Sequence, residues 1–196
     1  MMQHTNVQSS KLFKVIILAL MGTISLLLFI LNFPVLPGFG YLKIDFSDIP
    51  ALVAALIFSP LAGVIVEAIK NLLYLAIGGG EPVGVTSNFL AGVMFIVPAA
   101  FLYHKHKNMK SIVFGLIIGT IIMTIGMSIL NYLVFLPIYA WFMGMEQMKI
   151  ESVKWYTVMA GILPFNVIKG IIVGALFVPV FIKMRRWIEQ KQADVL

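Results

Sequence analysis

Val15-Ile16-Ile17-Leu18-Ala19-Leu20-Met21-Gly22-Thr23-Ile24-Ser25-Leu26-Leu27-Leu28-Phe29-Ile30-Leu31-Asn32-Phe33 is an unbroken apolar stretch with Lys11 and Lys14 just ahead of it. At ~1.5 Å of helical rise per residue, it is long enough to cross the hydrocarbon layer of a bilayer. Two positive charges before an apolar run also fit a secretory signal. No small-x-small cleavage site follows, however, and the chain continues Phe33-Pro34-Val35-Leu36-Pro37. The stretch reads as a retained transmembrane helix.

Further segments of the same kind lie on its C-terminal side. With the first taken as about 12–33, the others fall at about 48–59, 60–78, 88–104, 110–136 and 157–184. The expected fold is an all-α integral membrane protein: a single membrane domain over 1–196, built as a compact bundle of six transmembrane helices. Ser59-Pro60 is an N-cap followed by a proline at the first helical position, so a new helix starts there even though it leaves the second segment short. Turn-rich stretches separate the rest: Pro34 to Gly40, Gly78 to Gly84, and the polar piece Glu146 to Lys154. The composition agrees. Hydrophobic residues make up 61% and charged residues 11%, well under the roughly one quarter of a water-soluble domain. With no cysteine, disulfides, thiolate metal sites and a cysteine nucleophile are excluded.

The formal charge of +6 could indicate nucleic acid, but the basic residues flank apolar runs, which points to membrane topology. Lys11, Lys14, Lys105, Lys107, Lys110, Lys183, Arg185, Arg186 and Lys191 all fall on one side if six helices alternate. The other side holds Asp45, Asp48, Glu81, Glu146 and Glu151 with only Lys43, Lys149 and Lys154. The positive-inside rule then puts both termini in the cytoplasm.

An ionisable group inside a spanning helix costs roughly 2.5–3.5 kcal/mol on insertion scales and needs a reason. Glu67 and Lys70, three apart on one helix, fit a self-neutralising ion pair. Lys169 has no acid near it in its own helix, so its partner is Glu67 at similar depth, a carbonyl or a ligand. Asn131 and Asn166 are the other polar residues of the later helices; Asn88 either lines the same region or caps the fourth helix, a role for which Ser87 competes. Taken together, Asn88, Asn131, Asn166 and Lys169 lie between mid-membrane and the outer surface on three successive helices, the pattern of a polar cavity open to the outside. The loop before the second helix is a candidate lid, with Phe33, Phe39, Tyr41 and Phe46 able to stack on a planar ligand or to serve as an interfacial belt.

No G-x-x-x-x-G-K-[ST] loop, H-E-x-x-H or G-x-S-x-G motif occurs. His4 lies in the N-terminal tail, and His104 and His106 among lysines read as solvated residues. Glu67 is the one acid placed mid-membrane, too little for hydrolytic chemistry. A binding or transport role without covalent catalysis, cofactor or metal is expected.

The stretch Tyr41-Leu42-Lys43-Ile44-Asp45-Phe46-Ser47-Asp48-Ile49-Pro50-Ala51-Leu52 resembles the start of the second helix in S-components of energy-coupling-factor (ECF) vitamin importers. The resemblance continues through Phe58-Ser59-Pro60-Leu61-Ala62-Gly63, Glu67-Ala68-Ile69-Lys70-Asn71, Asn88-Phe89-Leu90-Ala91-Gly92 and Pro164-Phe165-Asn166-Val167-Ile168-Lys169-Gly170, and is greatest to the riboflavin-binding members. It implies a monomeric S-subunit in the bacterial plasma membrane that captures riboflavin, and its phosphorylated form FMN as a further candidate, at the outer face. Its partners would be a transmembrane scaffold subunit and two ATPase subunits, with membrane lipid around it and no role for nucleic acid. By the same resemblance, Tyr41, Asn88, Gly92, Phe95, Asn131, Phe135, Asn166 and Lys169 would form the ligand site, with Phe95 and Phe135 packing on the ring. Family members pack small residues of the first helix against the scaffold. Ala19-x-x-x-Thr23 and Gly22-x-x-Ser25 are the candidates here, giving Ala19, Gly22 and Thr23 as the partner interface. The alternatives are another vitamin, such as thiamine or biotin, or a self-sufficient ion-coupled transporter using Glu67.

Overall fold

The computed structural model describes residues 2–195, and the side chains of residues 12–192. The side chains of His4 and Lys11 lie outside the described residues. Six helices follow one another: α1 (Met2–Ile30), α2 (Asp48–Ile57), α3 (Pro60–Ala76), α4 (Pro82–His106), α5 (Met109–Phe142) and α6 (151–195). Among the described residues, α1, α4, α5 and α6 are long and apolar enough to cross a membrane. Between α1 and α2 the chain forms a strap in which β1 (Phe33–Pro34) and β2 (Lys43–Ile44) pair antiparallel, Phe33 opposite Ile44 and Pro34 opposite Lys43.

The brevity of α2 has a physical reason. Nine of its ten residues are buried, so it meets protein on all sides and need not match the bilayer thickness. Ser59 breaks the chain in an extended conformation, its hydroxyl accepts from Ala62 N at 3.3 Å, and Pro60 opens α3 as the Ser59-Pro60 pair predicts. Pro60 has no N–H to offer the Leu56 carbonyl, and Ser59 has turned away from that of Ala55. Two long-range donors replace them: Gln192 Nε2 donates to Leu56 O at 2.6 Å and His104 Nε2 to Ala55 O at 2.8 Å. His104 is thus half-buried structural glue, not the solvated residue expected from its lysine-rich surroundings.

The fourth helix starts at Pro82, a turn and a half before the expected 88. Its cap is Glu81, whose carboxylate accepts from Val83 N and Gly84 N at 2.7 Å each, so neither Asn88 nor Ser87 caps it. Helices α4 and α5 pack through a glycine stripe. A Cβ on Gly115 would lie 2.6 Å from Ala99 Cα, and one on Gly119 would collide with the Phe95 carbonyl. Backbone contact of this kind is what holds helices together where lipid removes the hydrophobic drive.

In α1, Gly22 is buried and a Cβ there would sit 2.5 Å from Ile69 Cγ2 of α3. Ser25, on the same face, donates to Ser47 O. Gly22 therefore serves the packing of this chain, correcting its assignment to a partner surface. Ala19 and Thr23 lie on the exposed face, with Thr23 Oγ1 bonded back to Ala19 O at 3.0 Å.

Candidate ligand-binding site

Helices α5 and α6 each contain a wide π-helical stretch, Asn131–Phe135 and Thr157–Ile162. Such irregularities recur at functional sites because they re-aim the side chains beside them. Here they flank a cavity of about 720 Å³, a size suited to a small organic ligand. It opens at the end of the bundle where the strap, the α3–α4 turn and the α5–α6 connection meet. Lys14 lies over the Phe58 ring and Lys191 over Phe13, which puts them with His104 at the opposite end, around the C-terminus of α2.

Five of the eight residues expected at the ligand site line this cavity: Tyr41, Asn88, Asn131, Asn166 and Lys169. The amide nitrogens of Asn131 and Asn166 each donate to the carbonyl one turn back, Met127 O and Ile162 O, at 2.8 Å. That fixes both side chains and leaves Oδ1 as the atom available to a ligand. Asn88 Oδ1 has no hydrogen-bond partner.

The other three expected residues do not line it. Phe95 is fully buried in the main apolar core with Phe135, because both point between helices. Gly92 is filled by Glu67: a Cβ there would lie 2.5 Å from Glu67 Oε2. Of the strap aromatics only Tyr41 lines the cavity. Phe39 instead stacks on Tyr156 with ring centroids 6.0 Å apart and occupies the space left open by Gly161, so it pins the strap to α6.

Sequence reasoning missed several wall residues. Met143, Met145, Gln147 and Met148 come from the α5–α6 connection, the last two from the polar piece Glu146 to Lys154 and the first two from just ahead of it. Tyr74, Glu81 and Tyr139 complete another part of the wall, where Tyr139 OH donates to Glu81 Oε1 at 2.6 Å.

Beneath the cavity lies a buried ion network that corrects two expectations. Asp45 and Asp48 had been placed on the outer surface, yet both are fully buried, so Glu67 is not the one interior acid. Lys169 finds neither Glu67 nor a lone carbonyl: its Nζ is 3.2 Å from Asp48 Oδ2 and 3.9 Å from Asp45 Oδ2. Glu67 and Lys70 do pair, at 2.6 Å. Lys70 Nζ also lies 3.7 Å from Asp48 Oδ1 and donates to Ser47 Oγ at 2.9 Å, which ties it into the same cluster. Asp45 is fixed by Ser47, whose backbone N–H donates to its Oδ1 at 2.8 Å and whose hydroxyl bonds the same oxygen.

This architecture has close relatives. The family described as the ECF transporter, substrate-specific component, matches residues 13–181. The chain belongs to the ECF substrate-specific components. Among S-component relatives, the riboflavin transporter FmnP of Bacillus subtilis (strain 168) is 48% identical over 187 residues, covering 93% of this chain and 97% of that protein. The riboflavin transporter RibU of Staphylococcus aureus (strain TCH60) is 38% identical, with 94% and 96% covered. A solved S component of a bacterial ECF transporter superposes with a TM-score of 0.76 at 39% identity, covering 90% of this chain and 98% of that one. By family the chain is a multi-pass membrane transport protein, and its family and these relatives are transporters rather than enzymes.

Proposed function

We propose that this S-component captures riboflavin in the cavity between the strap and α4–α6. The observation that carries this reading is the donor and acceptor pattern of the cavity wall. Lys169 supplies a charged donor, while Asn88, Asn131 and Asn166 supply amide oxygens. The pyrimidine edge of a flavin presents acceptor, donor and acceptor in sequence, and its ribityl chain adds hydroxyls, so these groups are chemically matched. Tyr41, Tyr74, Tyr139, Phe165 and the methionines offer the flat or adaptable apolar surface that a tricyclic ring needs. Support also comes from the riboflavin transporters that resemble this chain over almost their whole length.

In this reading the basic end faces the cytoplasm and the cavity faces outward, following the distribution of Lys and Arg. The subunit works as a monomer that delivers its cargo with a separate scaffold and two ATPases, since it has no phosphate loop of its own. FMN is a second cargo: exposed Lys43 lines the cavity rim, where a terminal phosphate would emerge.

The test is the visible absorption of the detergent-purified protein followed by a flavin fluorescence-quench titration. A yellow protein that quenches riboflavin stoichiometrically is expected. Asn166→Ala or Lys169→Ala should weaken binding more than it lowers expression. A colourless protein that ignores riboflavin refutes the assignment and turns attention to thiamine or biotin.

A further inference from the structure

A lysine ammonium on a four-carbon stem does not hold its own position; in an interior of low polarity it goes where the carboxylates are. Lys169 is 2% exposed, lines the cavity, and has three acids in its neighbourhood. Lys70 lies against Glu67 at 2.6 Å and more loosely against Asp48 at 3.7 Å, so the acids nearest Lys169 are Asp48 and Asp45. Resting on the reading that Lys169 meets the ligand, we infer that Asp48, supported by Asp45, is the positioning residue that fixes the Lys169 ammonium in the cavity floor.

Three features suit Asp48 to this role. It occupies the first position of α2, where the helix dipole favours a carboxylate, and the helix behind it is buried almost throughout. Neither of its oxygens accepts a hydrogen bond from backbone or hydroxyl; Lys169 lies on Oδ2 and Lys70 on Oδ1, with the Glu67 carboxyl also beside it. Of the two ammoniums Lys169 is the nearer, at 3.2 Å against 3.7 Å. Asp45 adds the link to the strap. Its Oδ1 is taken by Ser47, its Oδ2 lies toward Lys169, and two residues before it Lys43 joins Tyr41 and Leu42 in the cavity wall. One ammonium thus connects the floor of the cavity to the segment that roofs it.

Asp48→Asn keeps the shape and removes the charge. Freed from Asp48, Lys169 is left with the more distant Asp45 and with Glu67, and both draw it away from its present place. Riboflavin titrations would be run on the wild type, Asp48→Asn, Lys169→Met and the double variant, with thermal unfolding of each unliganded protein. Lys169→Met should bind roughly 10- to 100-fold more weakly, the range for a hydrogen bond to a charged group. Asp48→Asn should lose about tenfold, and the double variant should bind no worse than Lys169→Met alone. A merely structural role would make the two losses multiply, which overturns the inference. So does a folded Asp48→Asn that binds as tightly as the wild type, or more tightly, while Lys169→Met is impaired. Lys169→Met binding normally refutes the underlying site reading and this inference with it. If Asp48→Asn does not fold, Asp45→Asn decides: a several-fold loss that vanishes in the Lys169→Met background is expected, and unchanged binding overturns the inference.

Discussion

Three carboxyl groups and two ammoniums are buried together at the floor of the cavity, and the imbalance makes them unequal under mutation. Asp45, Asp48 and Glu67 outnumber Lys70 and Lys169 by one acid. Glu67→Gln removes the excess, and its amide oxygen can still accept from Lys70 at the same 2.6 Å separation. The change should lie within about 1 kcal/mol of neutral, because the hydrogen bond to Lys70 persists and the crowding of a third acid around two ammoniums is relieved. Lys70→Met does the reverse. It leaves three carboxyls facing one ammonium, deprives Ser47 Oγ of its 2.9 Å donor, and removes the cation 5.1 Å from the Phe29 ring centroid. Breaking a buried pair in this way costs about 3–5 kcal/mol. At 2–4 °C per kcal/mol for a chain of this size, the thermal unfolding midpoint in detergent should fall by roughly 6–20 °C for Lys70→Met and by less than about 4 °C for Glu67→Gln. The measurement is thermal unfolding of the two purified variants in parallel. A Glu67→Gln protein less stable than Lys70→Met would show that the charge accounting is wrong. Uptake by Glu67→Gln together with the energising module should persist; its loss would revive Glu67 as an ion-coupling relay.

The two faces of α1 should separate folding from assembly. Gly22→Leu drives a side chain into Ile69 and should lower the unfolding midpoint of the isolated subunit, whereas Ala19→Trp on the exposed face should leave folding and riboflavin binding intact and reduce module-dependent uptake. Normal stability of Gly22→Leu would contradict the inward placement of that glycine. Glu81→Ala removes the cap of α4 and the acceptor of the Tyr139 phenol, and should cost about 2 kcal/mol as read by thermal unfolding; no shift would mean that neither contact contributes.

The class of fold was legible because bilayer thickness writes itself into apolar segment length, and α1, α4, α5 and α6 carry that signal plainly. Ser59-Pro60 also announced its helix start. The same grammar was present at Glu81-Pro82 and passed unread, since glutamate is a rarer cap than serine and the glycines before it suggested a longer turn. Asp45 and Asp48 were hidden for a different reason. Their sequence neighbourhood is that of a loop at the end of a helix, and only the burial of α2 and the arrival of Lys70 and Lys169 from α3 and α6 turn them into interior charges. Phe95 and Phe135 show the limit of residue type as a guide: an aromatic near a site packs on a ligand or on a neighbouring helix, and the direction of its side chain decides which.

The buried α2 helix joins these observations into one mechanical picture. Its first residue, Asp48, holds the ammoniums beneath the cavity, while its last carbonyls are held at the opposite end of the bundle by His104 and Gln192. Both ends are fixed by side chains from other helices, and no part of its length depends on lipid. A rod anchored in this way cannot tilt without breaking a charged contact at one end or orphaning a carbonyl at the other, each costing about 1–3 kcal/mol or more. The floor of the site is therefore preorganised. In the proposed reading, adaptation to a ligand falls to exposed Tyr41 and the methionine-lined α5–α6 connection, because the rest of the strap is tied down by Phe39 on Tyr156 and by Asp45. In that reading the floor selects by hydrogen bonding and the wall above it supplies apolar contact, so a change in the floor should alter which ligand binds and a change in the wall should alter how tightly.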